Sequence, residues 1–583
     1  MIGARITVEQ AAYLAIFLAS LWLRLWNLGT MPLQSSEAAS AFQSWLISQG
    51  SPGSLDHSAL LVHGNAFLFF LFGASDSVPR VLPALAGALL VVLPYLLRAY
   101  LGSLGALAAA VFFALSPTTM FFSRSVDSGI LIATITLCLV GLVLRFVETR
   151  QPIYAYLSAA TLGLLVNTGV AAYLNVVLAL AFAIGVIVWA RFAPNLALPG
   201  LRSPDHLGRD ESWPEGLDGA RLAAMRSVLG NAALAFIGTT IVVATGAFTN
   251  LHGVQESLVS QLSLRTWLDP SFAQAPLAFY VQLMLVYETA VVVFAAAYLL
   301  FILYSGRRRG LVFWFLAWWA IAATVVLSLV PQKSAVLLLQ PLVPATLLAG
   351  EFAGGLITWV HRVRPFKQLA AASIITLPPL LLLMFVLSRF SLPGEKLPMP
   401  FALAPSIMIV FAVAGFARWL GSLETVRLYG VLALVLLLAG SLHTASNLSY
   451  QSTLNPGESI VTAATVSDVR TLAGDVDEAL ATADVASRKR GILVDPAFKD
   501  LLAWYLRGRA VVVFAETAAS RPPVIIGRGD TSLPSGDYAF QRYTISARWM
   551  PRTLDFGRRW RWLVFREPTD PVTYEVATVY LAL

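Results

Sequence analysis

Thirteen apolar runs dominate this chain: residues 10–28, 80–98, 103–121, 129–147, 153–166, 173–191, 228–247, 279–304, 311–330, 335–358, 369–390, 402–420 and 428–446. Most reach the length of about 20 residues that a helix needs to cross the roughly 30 Å hydrocarbon core of a bilayer. In lipid no water satisfies backbone N–H and C=O groups, so runs of this kind have the helix as their one economical conformation. The fifth run is short, and Pro331 interrupts the chain between the ninth and tenth. With 57% hydrophobic and 12% charged residues over 583 positions, a water-soluble fold would leave apolar surface uncovered. The expected fold class is a polytopic α-helical membrane protein of about thirteen spans, followed by a soluble α/β domain.

The first run lacks a small-residue cleavage site, so it is kept as a span and not as a removable signal. Basic residues then set the direction. Arg5, Arg98, Arg145, Arg150, the loop with Arg191, Arg202, Arg209, Arg221 and Arg226, the run Arg307-Arg308-Arg309, Arg362, Arg364, Lys367, Arg418 and Arg427 fall on one side. The other side carries few basic residues: Arg124, Arg265, Lys333 and Lys396. This predicts a multi-pass plasma-membrane protein with a cytoplasmic N-terminus; an odd number of spans leaves everything after Ser446 outside. The net charge of +8 is scattered between spans and reads as orientation, not nucleic-acid binding. A single cysteine, Cys138, in an apolar run leaves no intrachain disulfide and no thiol metal site.

The spans and their loops make one expected domain, residues 1–446, with long outer loops at 29–79 and 248–278. Both loops alternate polar and apolar residues enough to form helices lying on membrane lipid. The inner loop 192–227 is rich in Pro, Gly and charge. From 447 to 583 the composition becomes that of a soluble, extracytoplasmic domain. Residues 468–488 and 499–506 read as helices, and 491–495, 510–516 and 523–527 as strands. Further on, Trp549, Trp560 and Trp562 alternate with Arg552, Arg558, Arg559 and Arg561. That mixture suits either lipid headgroups or an ordinary basic surface with partly buried tryptophans.

Ionisable residues at the outer membrane face are costly to hold there, which makes them candidates for function. Glu37, in Met31–Trp45, follows the first span after a turn at Pro32; Ser35 or Ser36 would cap the helix that Glu37 opens. Its carboxylate would serve as a base at the bilayer surface, or only stabilise the turn. Arg124 and Asp127 stand three apart, so they would pair on one helix face or divide the work, with Arg124 on a phosphate and Asp127 on a hydroxyl. Lys333 is a compact cation able to snorkel to a lipid phosphate, or a plain loop charge. His57 and His63 flank an interfacial segment, and His63 would line a pocket; a metal site would need more ligands. Arg24, one turn before the outer end of the first span, calls for an acidic neighbour. Glu256, Arg265, Asp269 and Glu288 are further candidates that spacing does not separate. No P-loop, glycine-rich dinucleotide turn or zinc signature is present, and no metal or other cofactor is expected.

RLWNLGTMPLQSSEAASAFQSW, then LVHGNAFLFFLFGASDSVPRVLPALAGALLVVLPYLLR, then ALSPTTMFFSRSVDSG resemble the integral-membrane glycosyltransferases of the protein-mannosyltransferase-like class. Within it the chain is most similar to the glycosyltransferase family 39, or flippase-activity-associated, branch. The resemblance covers residues 20–180, extends more loosely over Pro331 to Gly350, and includes DLLAWYLRGR before a strand near the C-terminus. It implies a GT-C-like fold and transfer of a sugar, with inversion, from a polyprenyl-phosphate donor to a protein or glycan acceptor on the outer face. It also implies an Asp-Glu pair after the first span, the Asp being the base. Here that pair is Ser36-Glu37, so the base would shift to Glu37, or to Asp127, which stands closer to Ser123-Arg124 than the branch implies. Arg124, Lys333, His63 and Ser36 would contact donor or phosphate. A Lys-Glu pair implied after the fifth span would fall at Gly169-Val170 and is absent. The departures leave a second expectation from another class, a lapsed transferase that binds the lipid carrier or scaffolds a membrane complex.

Overall fold

The computed structural model describes residues 7–51, 58–192, 219–250, 253–254, 276–306, 309–390, 398–451, 455, 457–461, 464–482, 491–509, 512–515, 522–528, 537–549, 562 and 571–582. Every one of the thirteen apolar runs contains helix. Among the described residues ten helices are long and apolar enough to cross a bilayer, and the pair Phe279–Tyr287 and Thr289–Ser305, bent by 106°, makes up to eleven if it counts as one broken span. The other two runs, the third and the fifth, form helices too short to cross by themselves. Ser116-Pro117 splits the third into Ser103–Leu115 and Pro117–Phe122, because proline lacks the N–H that would carry the helix through. The fifth, Pro152–Val166, ends in a turn where Gly169 takes a φ of +128° that L side chains avoid.

Burial grades the spans. Val78–Leu101 and Ala335–Val363 sit at the centre, with 61% and 78% of their apolar windows buried, whereas Arg226–Ala244 and Phe401–Leu420 are 6% and 11% buried. Small residues let the central helices touch, as in other lipid-embedded bundles. A Cβ on Gly354 would come 2.4 Å from the backbone N of Gly105, and one on Gly350 would come 2.5 Å from Ala109 Cβ. A buried amide network joins four spans: Asn175 Nδ2 donates to Gln340 Oε1 at 2.5 Å and to Thr136 Oγ1 at 3.2 Å, while Trp319 Nε1 donates to Asn175 Oδ1.

Helix α1 (Val8–Leu25) starts at a capping box between Thr7 and Gln10. The loop after α1 forms two helices, α2 (Ser35–Ser48) and α3 (Ala59–Phe72), that pack on each other. Phe67, Phe70, Leu71 and Phe72 are exposed on α3, as a helix resting on lipid requires. Helix α4 (Val81–Val92) follows and packs on α1.

After Ser446 the chain forms a mixed sheet in the order β1-β5-β6-β4-β2-β3. The strands are β1 (Ala464–Thr465), β2 (Ile492–Val494), β3 (Val512–Phe514), β4 (Val524–Gly527), β5 (Tyr538–Arg548) and β6 (Thr573–Ala582). β2 runs parallel to β3 and β4, and β4–β6, β6–β5 and β5–β1 are antiparallel. Helices Asp468–Thr482 and Lys499–Tyr505 stand near their expected places. The β5–β6 ladder was not expected, since β5 alternates weakly and mixes charge with aromatics. Trp549 and Trp562 are buried and stacked, and Trp562 Nε1 donates to Gly457 O at 2.7 Å. These two are therefore core residues, not headgroup contacts. Trp560, Arg552, Arg558, Arg559 and Arg561, like residues 193–218 and most of 248–278, lie outside the described residues.

Candidate functional site

The C-terminal end of α1 is where the polar chemistry gathers. A helix C-terminus leaves carbonyls without partners and carries partial negative charge. Arg124 answers it: Nη1 donates to the carbonyls of Leu23 (3.1 Å), Arg24 (3.1 Å) and Trp26 (2.6 Å), and Nη2 to Asn27 (3.4 Å). The Tyr450 ring lies 4.5 Å below the same guanidinium. Asn27 takes a left-handed φ of 54°, turning the chain into the strand-like segment that leads to α2.

That segment is held by Arg80, a residue that the sequence pattern hides in an apolar run. Arg80 donates to the carbonyls of Leu28 (2.8 Å), Met31 (2.9 Å) and Pro32 (3.1 Å). It also grips Glu37, with Nη2 at 2.7 Å from Oε2 and Nε at 3.3 Å from Oε1. Glu37 accepts two backbone N–H bonds besides, from Val126 at 2.7 Å and Gln34 at 2.9 Å. The helix cap is Gln34, not Ser35 or Ser36. Glu37 reaches back to the N–H three residues before it, which fixes the cap there and leaves Ser36 exposed at the second helical position.

These groups surround a small cleft of about 30 Å³, partly open to solvent, lined by Asn27, Leu28, Met31, Gln34, Glu37, Arg80, Phe121, Arg124, Ser125 and Ser449. Glu37 and Arg80 form a buried ion pair, so Arg124 leaves the lining with one positive charge in excess. Burial pulls the Arg124 guanidinium below its ordinary pKa, and the like charge of Arg80 adds to this while Tyr450 opposes it. An anion entering the cleft would relieve both.

Behind it Arg24 is fully buried. The expected acidic neighbour is absent among the described residues. Arg24 donates instead to Ser20 and to Phe113 O (3.2 Å), and its Nε has no partner. The cause is α1 packing on Gly87, where a Cβ would lie 2.9 Å from Arg24 Nε and 2.4 Å from Ser123 Cβ.

The other candidates do not line the cleft. Asp127 Oδ1 accepts from Gly129 N at 2.7 Å, opening the Gly129–Thr149 helix. Lys333 Nζ donates to Val330 O at 3.2 Å in the turn between two spans. His63 Nε2 meets Ala244 O at 3.3 Å and packs on Gly246. Glu288 sits at the bend of the broken span and accepts from Ser116 Oγ (2.6 Å) and Thr118 N (2.9 Å). His57, Glu256, Arg265 and Asp269 lie outside the described residues.

Asp76 also escaped the sequence reading, being one carboxylate in a short polar turn. It accepts from Arg470 Nη2 (2.6 Å) and Nε (3.0 Å), Trp504 Nε1 (2.8 Å) and Tyr505 Oη (3.3 Å). Arg470 also holds the carbonyls of Gly29 and Thr30, and Tyr505 Oη accepts from Leu33 N. The C-terminal sheet domain thus grips the same 29–33 segment that Arg80 holds from the membrane side.

No family model matches this chain, and no curated protein matches it in sequence. Its fold is shared with ArnT from Cupriavidus metallidurans. The apo ArnT structure superposes with a TM-score of 0.51 at 14% identity, covering 87% of this chain and 85% of that one. The structure bound to undecaprenyl phosphate gives 0.54 at 14% identity, covering 98% and 97%. At this identity the likeness is one of fold.

Proposed function

We propose that this chain transfers a sugar from a polyprenyl-phosphate donor to an acceptor on the outer face of the membrane. The observation that carries the reading is the cleft at the end of α1, where two guanidiniums face one carboxylate in a fold shared with an undecaprenyl-phosphate-binding protein. A phosphate there would meet Arg124, with Arg80 beside it, and the negative charge developing on the leaving group would be stabilised by fixed cations. Glu37 is the carboxylate in the lining and takes the role of base toward the acceptor hydroxyl, a contribution of about 10²–10⁴-fold. To accept a proton it must exchange one of its present donors, and Arg80 is the donor able to move to the phosphate. Lys333 and His63 stand outside the lining and have no part in this reading, and Asp127 shapes the loop that carries Arg124. The N-terminus is cytoplasmic, the C-terminal domain, residues 447–583, is extracytoplasmic, and the acceptor is a protein or glycan.

One observation favours a second reading. Both Glu37 oxygens are already occupied by Arg80 and two backbone N–H groups, as suits a clamp in a lapsed transferase that still binds the carrier. Sugar release from radiolabelled polyprenyl-phosphate hexose by the purified protein, with acceptor candidates present, separates the two. Wild-type turnover that disappears in Glu37→Gln while carrier binding persists supports the transferase. Carrier binding without turnover in the wild type supports the lapsed enzyme, and turnover unchanged in Glu37→Gln removes the base assignment.

A further inference from the structure

The last span, Ser422–Ser446, does not stop at the membrane face but continues into a wide π-type turn, Asn447–Gln451. Single turns of this kind break the regular helical spacing and recur at functional sites. Both neighbours of Ser449 fix this one. Leu448 is 1% exposed in the core, and Tyr450 donates through Oη to Leu23 O while its ring carries Arg124. Between them Ser449 faces the cleft that Arg124 lines. Its side chain is buried, at 4% exposure, and its Oγ has no hydrogen-bond partner among the described residues. Buried hydroxyls are almost always satisfied, so one left unpartnered in a residue that lines a cationic cleft marks a place for an acceptor oxygen.

Resting on the carrier-phosphate reading above, we propose that Ser449 is a binding residue: its hydroxyl donates a hydrogen bond to a phosphoryl oxygen of the lipid carrier held against Arg124. The C-terminal domain then begins with a residue of the site, and the wide turn serves to aim that hydroxyl. Ser449 is neutral and short, so it supplies direction where Arg124, spread over four carbonyls, supplies charge.

The test uses the full-length protein in detergent micelles and ³²P-labelled polyprenyl monophosphate, with inorganic phosphate as competitor. A hydrogen bond to a charged group gives roughly a tenfold or larger effect on affinity. Ser449→Ala is therefore expected to weaken binding about tenfold, and Ser449→Thr, which keeps the hydroxyl, to recover most of it. In turnover, KM for the carrier-linked donor should rise in Ser449→Ala, while melting temperature stays at the wild-type value. Should Ser449→Ala not fold, Ser449→Cys keeps the size with a weak donor and is read the same way. Binding equal to wild type in these variants would overturn the assignment while leaving the carrier reading intact. No binding by the wild type would overturn the carrier reading itself, and inorganic phosphate competing as well as the lipid would overturn the lipid as its source.

Discussion

The Glu37–Arg80 pair is the junction on which the cleft depends, and a double-mutant cycle measures it. Side-chain exposure is 6% for Arg80 and 4% for Glu37, at 2.7 Å, so solvent screens the pair little. Breaking a buried pair by removing one partner costs about 3–5 kcal/mol, because the other charge stays buried. Glu37→Ala also strands the N–H groups of Val126 and Gln34, and Arg80→Ala strands three carbonyls. Arg80→Ala is thus expected at the upper end of that range or beyond. The double variant should cost less than the two singles together by about 2–3 kcal/mol, the scale of coupling within one network. Reversible unfolding in mixed detergent micelles, followed by tryptophan fluorescence, reads all four corners. Additivity within about 0.5 kcal/mol would refute the coupling. Single costs under about 1 kcal/mol would show a pair that behaves as solvent-exposed.

Three further expectations follow from the same geometry. Asp76→Asn removes the charge that gathers Arg470, Trp504 and Tyr505, so amide exchange over residues 29–33 and 499–507 should quicken about tenfold; unchanged exchange would mean the domain is held elsewhere. Gly87→Ala places a methyl where Ser123 and Arg24 now lie, so it should lower both stability and polyprenyl-phosphate binding, and wild-type binding would show that Ser123 yields freely. Burial holds the His63 imidazole below its ordinary pKa, with the Ala244 carbonyl opposing. The folded protein therefore binds fewer protons than the unfolded chain, and His63's contribution is complete above about pH 6.5 and lost as pH falls through the lower folded value. A His63→Gln variant should flatten that part of the stability profile, and an unaltered profile would point to another group.

The cleft's residues divide by how far apart in sequence their partners stand. Glu37 and Arg124 are legible because an ionisable side chain at the edge of an apolar run is conspicuous by itself. What Glu37 does there was not legible, since its partner Arg80 is 43 residues away inside a stretch that hydropathy assigns to lipid. Arg24 was expected to find an acid and found backbone carbonyls, because the packing of α1 on Gly87 decides what surrounds it. Ser449 carries no sequence signal at all, a serine near a span end like several others.

By itself the sequence determined where the helices lie and their membrane character, though not how many are long enough to cross a bilayer, and much of the sheet domain's first half. Those properties are local sums: apolar length sets a span, and turn residues set its ends. The tertiary structure alone decided the rest. It brought Asp76 to Arg470 across 394 positions, broke the third apolar run at Pro117, paired β5 with β6, and placed Ser449 and Arg124 in one cleft. A charge or hydroxyl acquires its role from the groups that desolvate and contact it, and in this chain those groups come from distant segments that only folding brings together.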